Sequence, residues 1–576
     1  MPKILRINAK ERKHAFEEMG DYAGLGGRAL TSRVVLKEVP ATCHPLSKHN
    51  KIVTAPGVLT GTVAANSGRV SVGGKSPLTG GIKESNSGGQ YAQYLAKLDI
   101  ASIILEDKPE KDASPFYVVV GDNASVSIED ASDLWGLGTY ETCEKLRAKH
   151  GEDTAIMVIG PGGEFCGKGA GIQFTDPEGR PARAAGRGGL GAVMGSKKVK
   201  ALVVKKGEAR KVEVADPEKF KTANKRWAEI IRSHPVTSEG LPGFGTAILI
   251  NIINEAGALP TKNWSQGKFD FANKISGETI AETIKKRGGK ARHGCHSGCM
   301  IQCSQEYVDE SGKYMTSGFE YETIWAMGAN TLINDLDDIA RLDHACDDLG
   351  LDTIEMGNTI AVAMDGGAIP WGDGKAALDL LEKVRTGDPL GRIIMNGTTF
   401  TADAFGGDRV AVVKNQSLPA YDPRAVKGVG VTYATSTMGG DHTAGYAVAQ
   451  NILKVGGDID PLSKQGQVEV SKNLQIATAA VDAAGLCLFV AFAVLDTEDA
   501  VQVISDLVSG KIGAPFSPDD VVNLGVSVLK DELEFNKMAG FCDADDQLPY
   551  FMQTEELDTH KTTWDFTVEE MQAAKV

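Results

Sequence analysis

A change of texture near residue 208 limits what this chain can fold into more than any other feature. Before it, short β-rich runs alternate with glycine-rich turns: "DIASIILE" (Asp99–Glu106), "FYVVV" (Phe116–Val120), "AIMVIG" (Ala155–Gly160) and "KALVVKK" (Lys200–Lys206). One helix, from Thr139 to about Lys149, is expected among them. After Ala215 the apolar period becomes helical. Asp216 and Pro217 supply an oxygen cap and a first-turn proline, and Phe220, Ala223, Trp227 and Ile230 follow on one face. The remainder reads mostly helical, broken at "WGDGK" (Trp371–Lys375) and "VGGDIDPLSKQG" (Val455–Gly466). Strands first and helices after predict an α+β protein. Its expected parts are a β-rich domain over 1–208 and two mainly helical domains over 209–410 and 411–576.

At 576 residues the chain exceeds a single core. Its 67 glycines suggest tight turns, or backbone running close to a ligand. A formal charge of −15 argues against nucleic acid and anionic membrane surfaces as partners. No apolar run approaches the ~18 residues of a membrane span, and "CLFVAFAVL" (Cys487–Leu495) is too short. Met1–Ala15 is charged and lacks an apolar signal core. Nine scattered cysteines do not resemble a secreted disulfide framework, so reduced thiols, metal ligands and a cytoplasmic location are expected.

Three of those cysteines, Cys295, Cys299 and Cys303, lie four apart in "HGCHSGCMIQC". One face of a buried helix would explain the spacing, but Gly294 and Gly298 weaken a helix there. A loop wrapped round an iron–sulfur cluster would also accept it, given a fourth thiolate. Cys43, Cys143, Cys166, Cys346, Cys487 and Cys542 are the candidates, with Cys143 and Cys346 set in core-like surroundings. Cys487 closes "DAAGLC" (Asp482–Cys487), which echoes "DDLGLD" (Asp347–Asp352). A repeated Asp-x-x-Gly-Leu suggests two copies of one group held by pseudo-symmetry; two ordinary helix-end turns would look the same.

These paired motifs, the cysteine trio and "GRVSVGGKSPLTGGIKESNSGG" (Gly68–Gly89) together resemble the tungsten-containing aldehyde:ferredoxin oxidoreductase family. "AAGRGGLGAVMGSKKVKAL" (Ala184–Leu202), "LPGFGTAILINIINEAG" (Leu241–Gly257), "GFEYETIWAMG" (Gly318–Gly328) and "LPAYDPRAVKGVGVTYATS" (Leu418–Ser436) extend the match. The resemblance implies a β-rich base under a tungsten bis-pyranopterin, with a [4Fe–4S] cluster close by. Asp347 and Asp482 would then hold the two pterins, with Gly350, Leu351, Asp352, Thr353 and Leu486 beside them. Arg69, Lys75, Asn86 and Gly88, with the backbone of Ala185, Gly186 and Arg187, would serve the phosphates and a bridging Mg²⁺. Cys295, Cys299, Cys303 and Cys487 would ligate the cluster. Many members space the first two cysteines one residue closer, so His296 remains an alternative to Cys295 as first ligand. The family's activity is oxidation of aldehydes to carboxylic acids with water, electrons passing to ferredoxin. Glu322 matches its catalytic glutamate and His442 the histidine that hydrogen-bonds the aldehyde oxygen, while Tyr321 is placed to orient substrate.

The chain also departs from the family pattern. Ala444 stands where many members carry a basic residue. The Glu and His that bind a bridging iron between subunits in some members have no clear match, Arg341 falling at one of those positions. An iron-linked dimer is therefore not implied, and other oligomers or complexes are left open. The divergent last ~90 residues are expected to line the access channel. "KKRGGKARHGC" (Lys285–Cys295) reads either as a basic patch that steers an acidic ferredoxin or as a capped helix end. "SKKVKALVVKKGEARK" (Ser196–Lys211) reads as a solvated segment. Two rival functions stand beside aldehyde oxidation: the tungsten subunit of a larger reductase, and an iron–sulfur relay subunit without an active metal.

Overall fold

The structure, a computed structural model, describes residues 2–207 and 211–576. The boundary expected near residue 208 lies outside the described residues. Residue 410 falls between the helix Thr398–Phe405 and the strand Val412–Val413.

The N-terminal region holds twelve strands: β1 (Lys3–Asn8), β2 (Lys13–Glu18), β3 (Ile52–Pro56), β4 (Val70–Lys75), β5 (Ile82–Ser87), β6 (Ile100–Glu106), β7 (Phe116–Val120), β8 (Val126–Asp130), β9 (Thr154–Val158), β10 (Ile172–Phe174), β11 (Arg183–Ala185) and β12 (Val199–Lys205). They form two six-stranded sheets, in the orders β2-β1-β6-β3-β4-β5 and β8-β7-β12-β9-β10-β11. Adding six to each number of the first order produces the second. Pairing direction repeats as well: only β1–β6 in the first sheet and β7–β12 in the second run parallel. The helices keep step. Gly27–Glu38 and Thr139–His150 precede β3 and β9, while Tyr91–Lys97 and Leu190–Ser196 precede β6 and β12. The base is thus one unit used twice. Strands β3, β7 and β9 are buried at every position, as their mostly apolar sequences suit for strands covered on both faces.

The expectation of a solvated Ser196–Lys211 is corrected. Lys197 and Lys200 are fully buried. Lys197 donates to the carbonyls of Asn50 (2.6 Å) and Asp107 (2.8 Å), and Lys200 pairs with Glu164 at 2.5 Å. The segment bridges to other loops, so charge alone misreads it.

The rest is mostly helical. Asp216 caps the helix Pro217–Ser233 through the Lys219 amide, and Phe220, Ala223, Trp227 and Ile230 are buried on it. One insertion departs from the helical texture: strands Lys290–His293, Ser304–Val308 and Tyr314–Ser317 form a small sheet. His293 opposes Ser304, which pinches residues 294–303 into a loop. The largest core runs through both helical regions, with Trp264, Trp325, Tyr433 and Trp564 inside it. No single described helix is long and apolar enough to cross a membrane. The bent pair Val236–Phe244 and Thr246–Glu255 reaches that composition only across a 90° break, and Leu249, Ile250 and Ile253 of it are core.

Candidate active site

The edge strands β5 and β11, equivalent in the two repeats, pack against each other. A cavity of about 400 Å³ opens on that seam, roofed by the helical regions. Gly88 and Gly186, each just beyond its edge strand, both line it. A Cβ on Gly88 would sit 3.1 Å from Cys295 Sγ and 3.2 Å from Arg69 Nη1, so glycine keeps this backbone against the site.

The Asp-x-x-Gly-Leu motifs end two long helices, Leu336–Leu349 and Gln467–Ala484. Gly350 (φ 68°) and Gly485 (φ 81°) are the left-handed caps. Leu351 donates to the Cys346 carbonyl and Leu486 to that of Val481, each five residues back. Both ends are therefore Schellman turns with a leucine at the buried position. The first docks on Gly160 after β9 and the second on Gly57 after β3. A Cβ on Gly160 would stand 2.4 Å from Leu349 C, and one on Gly57 2.1 Å from Gly485 Cα. The motifs are ordinary helix-end turns and pseudo-symmetric partners of the duplicated base at once.

All four cysteines, Cys295, Cys299, Cys303 and Cys487, line the cavity. Asn66 ties the distant one to the others: its carbonyl accepts from Cys487 N, its Oδ1 from Met300 N, and its Nδ2 lies 3.6 Å from Cys299 Sγ. His296 does not line the cavity. It packs on Gly68 with both ring nitrogens buried and unpartnered, although its ring stands within 4.8 Å of the ligand atoms of Cys295 and Cys299.

Across the cavity, His442 Nε2 lies 3.3 Å from Glu322 Oε1. Glu322 starts the helix Tyr321–Met327, and its Oε2 accepts from Ala420 N at 3.0 Å. Burial pushes the Glu322 carboxyl up to about 8 and the His442 imidazole down to about 4. Both are therefore largely uncharged at neutral pH. His442 Nδ1 is buried without a partner, and Asp441 beside it is held by Lys83 at 3.1 Å. Tyr321 lines the cavity, but its hydroxyl is committed to the Ala420 carbonyl at 2.8 Å. Tyr421, Tyr446, Phe489 and Phe492 form an aromatic wall, continued by Leu474, Thr478 and Leu495. The C-terminal region thus supplies much of the apolar lining.

The other expected residues, Lys75 apart, divide into two groups. Arg69, Gly88, Gly186, Asp347, Leu351, Asp352 and Thr353 line the cavity. Asn86, Ala185, Arg187, Gly350, Asp482 and Leu486 stand behind it: Asn86 holds Arg69 Nε at 2.6 Å, and Arg187 meets Asp352 at 3.3 Å. Lys75 is not brought there, because its ammonium is buried against the Ala41 carbonyl.

Sequence reasoning missed Arg183, Arg28 and Glu320, the last lining the cavity 3.9 Å from Arg183 Nη1. Arg183 lines the cavity with Nε and Nη2 buried and unpartnered. An arginine inside the small-residue run "PARAAGRGG" was the available signal. Unpaired guanidinium nitrogens, the unpartnered Ser87 Oγ and Gly-rich backbone suit anionic oxygens; four convergent thiols suit a thiolate-ligated cluster.

Comparison with known proteins agrees with this architecture. Residues 4–206 match the model of the aldehyde ferredoxin oxidoreductase N-terminal domain, and residues 222–574 that of domains 2 and 3. The tungsten-containing aldehyde ferredoxin oxidoreductase of Pyrococcus furiosus is 38% identical, the alignment covering 95% of this chain and 90% of the relative. That of Thermococcus kodakarensis is 37% identical with the same coverage. A WOR-like subunit of an aliphatic sulfonate oxidoreductase from Pyrococcus furiosus is 27% identical over 73% of this chain and 70% of its own. The active-site complex of benzoyl coenzyme A reductase, solved with 1,5-dienoyl-CoA, shares the fold, with a TM-score of 0.80 at 18% identity over 99% of this chain and 92% of that one. With both domain models matched in order along nearly its whole length, the chain belongs to the tungsten-containing aldehyde ferredoxin oxidoreductase family of enzymes.

Proposed function

We propose that the protein oxidises aldehydes to carboxylic acids: RCHO + H₂O gives RCOOH, two protons and two electrons, the electrons passing singly to two molecules of a ferredoxin-type carrier. Asp347, Asp352 and Asp482 would hold two pyranopterins, and Arg69 and Arg183 with backbone near Gly88 and Gly186 would hold their phosphates and a Mg²⁺. Cys295, Cys299, Cys303 and Cys487 would hold a [4Fe–4S] cluster, since these four thiols line the cavity and His296 does not. When bound, the tungsten centre would accept the electron pair and the cluster would release it one electron at a time.

The observation that carries this reading is the Glu322–His442 pair, 3.3 Å apart, with the carboxyl lifted to about 8. The ionised fraction of a carboxyl titrating near neutrality can take a proton from water attacking a carbonyl and release it afterwards. Neutral His442 can hydrogen-bond the carbonyl oxygen without adding charge to a buried site. The aromatic wall would bind the aldehyde's apolar body and limit water to the reacting molecule.

Metal analysis of protein purified without oxygen, followed by viologen-linked aldehyde assays, tests this. About one tungsten and four irons per chain are expected. Glu322→Gln should retain both metals and lose ~10²- to 10⁴-fold in rate. Fully metallated wild type that oxidises no aldehyde would sink the proposal, and iron without tungsten would favour the relay reading.

A further inference from the structure

Five basic residues precede the cysteine loop, and the structure sorts them. Arg287 is tied to Asp337 at 2.6 Å and Lys290 to Glu306 at 2.5 Å, so these two neutralise neighbours. Lys285, Lys286 and Arg292 are exposed and pair with none of the described residues. A second pocket lies against this loop, lined by Ile231, Arg232, Thr237, Ser238, Arg292, Cys299, Met300 and Gln302. Arg232, at the end of the helix Pro217–Ser233, is likewise exposed and unpaired among the described residues. The same pocket contains Cys299, which also lines the central cavity. Among the four cysteines, only Cys299 lines both. Beside it Ser297 and Gly298 are exposed, and a Cβ on Gly298 would meet nothing within 4 Å.

From this geometry we propose that the face formed by Arg232, Arg292 and the Ser297–Met300 loop over Cys299 docks a small acidic iron–sulfur protein. The inference rests on the proposed electron-transfer role of the four cysteines and names where the carrier sits. Charge complementarity selects the occupant. Two unpaired guanidinium groups flank the one thiol that reaches both sides, in a chain whose formal charge is −15. Such a local patch attracts an acidic partner against the general repulsion of the rest of the surface, which guides it to one orientation. Met300, half-buried in the same pocket beside Cys299, is an apolar side chain that a transient interface can use. Glu239, the exposed acid adjacent in sequence to Ser238, does not line the pocket. Each docking passes one electron, so two carriers are reduced per aldehyde oxidised.

The test uses the holoenzyme and an acidic two-[4Fe–4S] bacterial ferredoxin as probe. Binding is followed by biolayer interferometry at low and high salt, beside the viologen-linked aldehyde rate. The double variant Arg232→Glu/Arg292→Glu should bind ferredoxin about tenfold or more weakly and lose most of the salt dependence, with the viologen rate unchanged. Arg292→Gln, a milder change should the double variant fold poorly, should flatten the salt dependence in part. Unchanged ferredoxin affinity and salt dependence in a folded variant would overturn the proposal. So would unchanged ferredoxin binding with loss of self-association in sedimentation, which would give the face to a second copy of the chain. Binding is read without turnover. A wild type that binds ferredoxin through these arginines yet oxidises no aldehyde would therefore fault the catalytic reading and leave the docking face standing.

Discussion

The two halves of the base share strand order, helix placement and a docking glycine, yet they hold their Asp-x-x-Gly-Leu ends in different electrostatic surroundings. In the first half, Arg28 at the start of Gly27–Glu38 reaches Asp482 at 3.3 Å and grips Glu532 with two bonds of 2.8 and 2.9 Å. In the second half, the helix Thr139–His150 also starts at its motif, but Thr139 offers only a hydroxyl to the Asp347 carbonyl. Asp347's carboxylate receives a neutral donor, Gln173 Nε2, at 3.2 Å, with Asp343 close by. Burial, reinforced by Asp343, holds Asp347 well above the usual carboxylate range; Arg28 limits the rise at Asp482 to about 6. The sixth position differs too. Asp352 caps the next helix through Ile354 N and meets Arg187, whereas Cys487 joins the thiol group. Duplicated backbone can thus carry two unlike sites, because the fold repeats main-chain geometry while side-chain partners vary freely.

Breaking the charged half should cost most. Arg28→Met leaves Asp482 and Glu532 buried without their cation and should destabilise the protein by ~3–5 kcal/mol, seen as an earlier urea midpoint. A change under ~1 kcal/mol would mean Arg28 does not balance that half. Gly57→Ala and Gly160→Ala test whether the two docking contacts are equivalent. Each drives a methyl group into backbone at 2.1 or 2.4 Å, and each should cost ~2–3 kcal/mol. A large loss for one alone would break the pseudo-symmetry. Gln173→Leu removes the neutral donor from Asp347 and should cost only ~1–2 kcal/mol.

The smallest effect is on pH dependence. Asp482 rises from the ordinary 3.8 to about 6, so between those values the folded chain keeps a proton that the unfolded chain releases. Its contribution is full below about pH 4 and is lost as pH rises through 6. Asp482→Asn should flatten the stability curve across that window by on the order of 1 kcal/mol, because nearby Glu84 titrates in the same field. An unchanged slope would show that Asp482 is no more perturbed than an exposed aspartate.

Much of the local structure was legible. The Asp216–Pro217 start, the capped end at Gly288 and the core positions of Cys143 and Cys346 follow from propensity and period, which act over a few residues. The two Gly-Leu turns were visible as an echo because a Schellman end needs glycine and a buried leucine wherever it occurs. The repeat of the whole base was not. It spans about a hundred residues and repeats strand order, with single shared glycines such as Gly57 and Gly160 too far apart to stand out as a pattern.

What the sequence alone determined was the order of β-rich and helical regions, the helix caps and the cysteine trio; the choice of Cys487 as fourth came from the family resemblance. Which lysines are solvated, which arginine faces the cavity and which reaches Asp482, and the absence of His296 from the cavity lining were decided only by tertiary structure. The reason is physical. Backbone preferences and hydrophobic periodicity are set by near neighbours along the chain. The partner of a buried charge is chosen in space, here 454 residues away for Arg28 and Asp482.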